Sequence, residues 1–140
     1  MTDQLTLRIS NDLGQLRRVR ERVEAFGERN ELASEIVFKV KLAIEELLTN
    51  TIVHGYSDQD EHTIDMRLDL RPDRLNVTIT DDATAFDPRD AKIPDTEAPL
   101  EVRTEGGLGV HLVKSLMDGI EYRREGSRNH LTLTKKFGSP

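Results

Sequence analysis

The chain has 140 residues and no cysteine, which suits one compact domain and excludes disulfides and thiolate metal sites. Its formal net charge of −6 argues against a surface for polyanions such as nucleic acid. An aromatic content of 4% argues against a base-stacking platform for single strands.

The N-terminal part predicts a strand and then a helix. Residues 5–9 alternate apolar and polar side chains, as a strand with one buried face does. Apolar residues recur at three- and four-residue spacing over 13–26, which predicts a helix capped by Ser10 or Asn11. Gly27 is expected near the end of this helix.

A second helix and a hairpin follow. The helix is expected to begin at a Ser34 cap and to end near His54, where Gly55 suits a left-handed terminal residue. Residues 63–70 and 75–79 alternate in polarity around a proline-containing turn. This pattern predicts a β-hairpin.

The C-terminal part predicts a loop, a helix and a second hairpin. Residues 83–105 contain three prolines and no periodicity, which is typical of a long functional loop. Gly106, Gly107 and Gly109 lead into an apolar-periodic helix, and residues 120–124 and 131–137 are predicted to form two strands. This order predicts an α+β fold, a two-layer sandwich with a mixed, mostly antiparallel sheet and three helices on one face.

Glu46 and Asn50 are four residues apart and so share one face of the second helix, away from its apolar stripe. Both could simply face water. If another element covers this face, the carboxylate could act as a base and the amide oxygen could hold a hard cation such as Mg²⁺.

Two further features could carry chemistry. Asp81 ends a strand beside the long loop, where its carboxylate could accept a hydrogen bond from an exocyclic amine or serve only as a turn residue. Gly107 and Gly109 open a helix whose free N–H groups suit an anion such as phosphate. An ordinary loop before a core helix would give the same pattern.

Other nucleotide and metal motifs are missing from the sequence. It contains no Gly-x-x-x-x-Gly-Lys-Ser/Thr run and no third glycine for a dinucleotide fingerprint. The four histidines are scattered and form no His-Glu-x-x-His pair, which argues against a zinc site.

The candidate motifs occur in one order: Glu46-x-x-x-Asn50, then Asp81-x-Ala83-x-x-Phe86, then Gly107-x-Gly109-x-x-Leu112. This order resembles the ATP-binding domain of the GHKL superfamily. In detail, residues 46–56, 82–88, 106–118 and 122–135 are similar to the bacterial anti-sigma serine/threonine kinases of the partner-switching type. The resemblance spans essentially the whole chain, as a single histidine-kinase-like ATP-binding domain over residues 1–140.

The resemblance implies roles for the motif residues around the Mg²⁺ ion and around the adenine. Asn50 would bind the Mg²⁺ that bridges the ATP phosphates, and Glu46 would take the proton from the attacking hydroxyl. Asp81 would bind the adenine amino group, within a base-binding motif that includes Ala83 and Phe86. The family usually has glycine where Ala83 stands, so the added methyl is expected to bear on nucleotide affinity.

The resemblance also implies how the phosphates are held. The start of the third helix would lie against them through backbone N–H groups, with Gly107, Leu108, Gly109 and Val110 as the contact residues. Residues 87–105 would form the ATP lid and would cover Glu46 and Asn50.

Two weaker assignments follow from the same family. A threonine of the last strand, either Thr132 or Thr134, would support the adenine-binding Asp81. Arg20 on the first helix is a candidate for contact with the γ-phosphate or with a partner.

The resemblance implies an ATP- and Mg²⁺-dependent serine/threonine kinase that binds a sigma factor and phosphorylates a STAS-domain anti-sigma antagonist. A homodimer is expected by the same analogy. No apolar run spans a membrane and no signal peptide is evident, so we expect a cytoplasmic protein. The main alternative is a nucleotide-gated protein-binding regulator with little or no kinase activity. A detached histidine-kinase catalytic domain and a mechanical ATPase fit less well.

Overall fold

A computed structural model describes residues 2–90 and 107–137. The strands are β1 (Asp3–Ser10), β2 (Thr63–Arg71), β3 (Arg74–Asp81), β4 (Gly119–Glu125) and β5 (Arg128–Lys136). The helices are α1 (Leu16–Arg29), α2 (Ser34–His54) and α3 (Gly107–Leu116), with short 3₁₀ turns at Leu13–Gln15 and Pro88–Asp90. The predicted order of elements and the α+β class are confirmed.

The five described strands form one sheet in the order β1-β2-β3-β5-β4. Every neighbouring pair of these strands is antiparallel, whereas the sequence predicted a mixed, mostly antiparallel sheet. β3 and β5 are neighbours although α3 and β4 lie between them in the chain. This pairing sets the end of β3 directly beside the start of β5.

The core lies between one face of the sheet and the three helices. Alternate strand residues such as Leu68, Val77 and Leu133 are fully buried, and they pack with Ile44 and Leu48 of α2. The period-two pattern of the strands and the helical stripe of α2 therefore meet in one hydrophobic layer. None of the helices in the described part of the chain is long and apolar enough to cross a membrane.

The helix caps differ from the sequence prediction. Asp12, rather than Ser10 or Asn11, caps the first 3₁₀ turn by accepting a hydrogen bond from Gly14 N. Gly27 lies inside α1, where a Cβ would come within 2.5 Å of Val37 Cγ2, so this glycine permits the contact between α1 and α2.

The second helix begins at Ser34, but its cap is Ala33, which makes no side-chain capping bond. Gly55 has φ −83°, so the expected left-handed conformation at this position is wrong. A Cβ on Gly55 would instead come within 2.5 Å of Thr51 O and 2.9 Å of Ala83 Cβ. Glycine is needed there for close approach, not for a positive φ.

Candidate functional site

Asp81 is a buried carboxyl at the end of β3. It continues the inward phase of Val77 and Ile79 and is only 6% exposed. Its Oδ1 accepts hydrogen bonds from Asn129 Nδ2 (2.8 Å) and from Ala83 N (3.1 Å). Burial raises the pKa of the Asp81 carboxyl, and these two donors act in the opposite direction.

Asn129 faces Asp81 across the sheet, because the two residues are paired in the register of β3 with β5. Its Nδ2 also donates to the carbonyl oxygens of Ala83 (3.1 Å) and Thr84 (3.2 Å). Its Oδ1 accepts hydrogen bonds from two residues of β4, the Tyr122 hydroxyl at 2.5 Å and Arg124 Nη1 at 2.9 Å. The Asn129 amide therefore joins β3, β4 and β5 at one point.

A cavity of about 470 Å³ opens beside Asp81, within the usual range for small-molecule sites. Apolar side chains of Leu47, Ile79 and Leu131 form part of its wall, and Asp81 and Asn129 add polar groups. The remaining lining residues come from α2 and from the segment after β3: Asn50, Thr51, His54, Gly55, Ala83, Thr84, Ala85, Phe86, Pro88, with Tyr122 of β4. The predicted residues Asn50, Asp81, Ala83 and Phe86 thus line one cavity.

Glu46 lies one helical turn before Asn50 on α2, and both residues are half-buried rather than facing open water. A Cβ placed on Gly109 would overlap Glu46 Oε2. The carboxylate of Glu46 therefore occupies the space that a side chain at Gly109 would fill. A negative charge at this first turn of α3 is favoured by the positive end of the helix dipole.

The first turn of α3 contains the other predicted phosphate contacts. Gly107 and Leu108 begin the helix, and Val110 is buried at 1% exposure. Val110 could therefore contact a phosphate only through its backbone. Because residues 91–105 lie outside the described residues, only the 87–90 part of the predicted lid is described.

The far end of α3 is tied to β5. Lys135 Nζ, on a side chain that is almost fully buried, donates to Leu116 O at 2.8 Å. Asp118 N donates to Thr134 O, and Asp118 Oδ2 accepts from Lys136 N at 2.7 Å. Lys135 thereby satisfies the last carbonyl of α3, and the three bonds hold the helix at the end remote from its glycines.

The predicted Mg²⁺ site can be compared with the ligand atoms that the described residues offer. Across residues 2–90 and 107–137, no three His, Cys, Asp or Glu residues cluster as a metal cage. Mg²⁺ in nucleotide sites is commonly held by one or two protein oxygens together with substrate phosphates. The amide of Asn50 lines the cavity one helical turn from Glu46, which lies against Gly109 of α3, and it fits that kind of site.

Ala83 stands where the resemblance implies a glycine, and the structure accommodates its methyl. The residue is 3% exposed, and its Cβ lies against Gly55. The methyl therefore takes little space from the cavity.

The predicted support of Asp81 by a threonine of the last strand does not fit the structure. Thr132 and Thr134 alternate with the buried Leu131 and Leu133, so they lie on the outer face of the sheet, away from Asp81. Thr134 Oγ1 donates to Asn76 instead. The hydrogen bond to Asp81 that the resemblance implied for a threonine is made by Asn129 of the same strand.

Arg20 pairs with α2, and its contact with a γ-phosphate or a partner stays a prediction. Its Nη1 donates to Glu45 Oε1 at 3.0 Å, forming an ion pair between α1 and α2. No described contact joins Arg20 to the cavity.

Sequence reasoning missed the polar group formed by Asn129, Tyr122 and Arg124. One signal was available: Asn129 has the same strand phase as Leu131 and Leu133, and a polar side chain on a core phase needs a buried partner. Which partner it meets depends on the strand pairing, which local sequence does not give.

A second polar cluster borders the site through Asp82. His62 Nε2 lies 2.7 Å from Asp58 Oδ1, and His62 Nδ1 lies 3.1 Å from Asp82 Oδ2. Hydrogen bonding to Asp58, and next to Asp82, raises the pKa of the His62 imidazole. The ring stacks on Tyr56 at a centroid distance of 4.2 Å, so the α2–β2 connection is fastened to the end of β3.

Comparison with known proteins places these features in context. Residues 9–135 match the histidine kinase-like ATPase domain. Serine/threonine-protein kinase BtrW of Bordetella bronchiseptica is 32% identical over 108 residues, covering 76% of this chain and 75% of BtrW. Serine-protein kinase RsbW of Listeria monocytogenes serotype 4a is 28% identical over 133 residues, covering 90% of this chain and 83% of RsbW.

Solved structures agree on the fold. The crystal structure of the RsbU and RsbW domains of a Mycobacterium tuberculosis protein superposes with a TM-score of 0.66 at 12% identity, covering 99% of this chain and 33% of that chain. The histidine kinase domain of a blue-light activated histidine kinase from Erythrobacter litoralis gives 0.52 at 19% identity, covering 88% of this chain and 59% of that one.

Proposed function

The chain belongs to the histidine kinase-like ATPase domain family, and from this premise we propose that it is an ATP- and Mg²⁺-dependent serine/threonine protein kinase with an anti-sigma role. The observation that carries the proposal is one continuous arrangement on α2. Asn50 faces the cavity that contains Asp81, and Glu46, one turn away, lies against Gly109 of α3. In this proposal the catalytic base, the metal and the phosphates would lie next to one another.

At the base end, Asp81 accepts a hydrogen bond from the exocyclic amine of adenine. The two hydrogen bonds from Asn129 and Ala83 both reach Oδ1, which assigns Oδ2 to the base. The apolar walls formed by Leu47, Ile79 and Leu131 pack against the purine.

At the phosphate end, Glu46 orients the acceptor hydroxyl and takes its proton. The Asn50 amide oxygen would hold the metal, and the backbone N–H groups of Gly107 and Gly109 would donate to phosphate oxygens. Bound Mg²⁺ supplies neutralisation of the phosphate charge that builds up during transfer. Gly109 leaves room for the Glu46 carboxylate beside this charge.

We expect the segment 87–105 to act as a lid over the nucleotide, although residues 91–105 lie outside the described part of the chain. Its described beginning supports this assignment, because Lys114 Nζ of α3 donates to Arg89 O at 2.7 Å and Pro88 lines the cavity. A closed lid would exclude water from Glu46.

The partners follow from the family resemblance. The kinase would bind a sigma factor and phosphorylate a STAS-domain anti-sigma antagonist on serine or threonine, acting in the cytoplasm as a homodimer. BtrW and RsbW are named as kinases of serine or of serine and threonine, which supports the choice of acceptor hydroxyl.

The test separates binding from transfer. Glu46→Gln keeps the shape of the side chain beside Gly109 but removes the base. We expect ATP affinity within about threefold of wild type by titration calorimetry, and a loss of at least about 1,000-fold in ³²P transfer to a STAS-domain acceptor.

The matched control is Glu35→Gln, which removes an exposed carboxylate in the first turn of the same helix, paired with Lys39. Its transfer rate should equal that of wild type. Full transfer by Glu46→Gln would remove this residue from the mechanism. ATP binding by wild type without transfer to any STAS acceptor would instead favour the nucleotide-gated regulator.

A further inference from the structure

The Asn129 side-chain amide has a fixed orientation. Arg124 has only N–H donors, so the atom of Asn129 that faces Arg124 Nη1 at 2.9 Å must be the oxygen. On the other side, the nitrogen faces three acceptors, which are Asp81 Oδ1 and the carbonyl oxygens of Ala83 and Thr84. The amide can therefore only donate to Asp81.

This orientation restricts where a proton could sit on Asp81. Its Oδ1 meets two N–H donors, from Asn129 and from the Ala83 backbone, so that oxygen is occupied as an acceptor. A protonated Asp81 would have to carry its proton on Oδ2. That is the oxygen assigned above to the base.

Resting on the proposed ATP site, we propose that Asn129 is a positioning residue that keeps Asp81 an acceptor and so makes the site select an amino-purine over an oxo-purine. Adenine presents an exocyclic amine, which needs an acceptor. Guanine presents a carbonyl oxygen at the same ring position, which needs a donor. An ionised Asp81 accepts the first and repels the second, whereas a protonated Asp81 would do the reverse.

The surroundings make this support necessary. Asp81 is 6% exposed, and burial favours its neutral form. Asn129 is equally buried at 6%, so its donated hydrogen bond is strong and is not exchanged for water. Without it, the Ala83 N–H would be the one remaining hydrogen-bond donor that the described contacts give to the carboxylate.

Other titratable and charged groups face this point from several elements. The carboxylate of Asp82 opposes ionisation of Asp81, and Arg128 favours it. Tyr56 lies close enough for Asp81 to raise its pKa, although burial is the larger cause. Further groups near this point are Arg124, which donates to Asn129 and to Ala83 O, Tyr122, whose hydroxyl donates to Asn129, and His54, which lines the cavity.

The test measures base preference against pH. Titration calorimetry with Mg-ATP and Mg-GTP is run on wild type and on Asn129→Leu, a near-isostere without polar atoms, from about pH 5.5 to about pH 8.5. We expect wild-type ATP affinity to be flat across this range. We expect Asn129→Leu to bind ATP about tenfold more weakly at the upper end and progressively more weakly as the pH falls. Its preference for ATP over GTP should shrink by about tenfold or more.

Thr78→Val removes a hydroxyl from the outer face of β3 and should leave both affinities and the pH profile unchanged. Asn129→Ser keeps a shorter donor and should fall between Asn129→Leu and wild type, and it serves if the leucine variant does not fold. A flat profile with an unchanged ATP:GTP ratio in either folded variant overturns the proposal, as does a wild-type ATP affinity that falls as the pH is lowered. Wild type that binds no adenine nucleotide at all would contradict the proposed function itself.

Discussion

The two ends of the candidate site are built in opposite ways. At the base end, polar side chains from three strands are already bonded to one another, with Asn129 joining Asp81 to Tyr122 and Arg124. At the phosphate end, the important feature is a missing side chain, since Gly109 leaves the space that Glu46 occupies.

This difference matches the demands of the two tasks. Selecting a base requires acceptors held in a fixed, low-dielectric position, so a complete hydrogen-bond network is the suitable construction. Phosphate binding and transfer require backbone N–H groups and a carboxylate to come close to the substrate, so bulk must be removed. Lys135 and Asp118 hold α3 to β5 at the end remote from the glycines.

The largest effect is expected from filling the phosphate end. In Gly109→Ala the new methyl would overlap Glu46 Oε2, so the carboxylate must move. We expect phosphoryl transfer to fall about 100-fold, the usual consequence of displacing a catalytic group by about 1 Å. The measurement is single-turnover transfer at saturating ATP.

Helix propensity predicts the opposite sign for folding, because Ala is favoured over Gly in a helix by about 1 kcal/mol. A variant with normal transfer and a raised melting temperature would show that Glu46 does not need this space. Gly119→Ala is the matched control, since its Cβ would meet Thr134 Cβ at an ordinary 3.4 Å. It should transfer phosphate at the wild-type rate.

The next effect tests the base end. Asp81→Asn keeps the shape of the residue but turns one oxygen into a donor facing the adenine amine. We expect ATP affinity to fall about 30-fold. Because burial raises the pKa of Asp81, its ionised form disfavours folding above the unfolded-state pKa, and a neutral amide should raise the melting temperature at neutral pH.

Calorimetry and thermal denaturation of the same sample check both expectations. Asp69→Asn replaces a buried carboxyl on the remote strand β2 and should leave ATP affinity unchanged. Lower melting temperature together with lost binding in Asp81→Asn would mean that Asp81 is structural.

Much of the fold follows from local pattern. The β2–β3 hairpin was predictable because alternation on both sides of Pro72 and Asp73 fixes a turn and two strand phases. The glycine-led start of α3 and its position in the chain were also predictable, because glycines before an apolar helical period are a local signal.

The rest depended on pairing between distant segments. Asp81 and Asn129 are 48 residues apart, and only the β3–β5 register brings them together. Counting phase from Leu131 and Leu133 would have placed Thr132 and Thr134 on the outer face, so that error was avoidable. The role of Gly55 could not be predicted from the sequence, because its close contact with Ala83 arises from tertiary packing.

A smaller effect is expected at Ala83, where the sequence departs from the glycine that the resemblance implies. Because the Ala83 methyl is 3% exposed and lies against Gly55, Ala83→Gly should change ATP affinity by less than about threefold. It should lower the free energy of unfolding by about 1 kcal/mol, through a small void and a more flexible unfolded chain. Calorimetry and urea denaturation test the two parts separately. A large gain in ATP affinity would show that the methyl obstructs the base.

The smallest effect concerns the cluster that fastens the α2–β2 connection beside Asp81. Hydrogen bonds to Asp58 and Asp82 raise the pKa of His62 in the folded protein, because both ring nitrogens donate only in the imidazolium. The stabilisation is therefore complete below the unfolded value of about 6.5 and is lost as the pH rises through the higher folded value. His62→Gln should lower the melting temperature by a few degrees at acidic pH, and the difference from wild type should shrink towards alkaline pH. His130→Gln, on the outer face of β5, is the matched loss of an imidazole. If the melting-temperature difference between His62→Gln and wild type does not vary with pH, ring stacking on Tyr56, and not the two carboxylates, is what stabilises the α2–β2 connection.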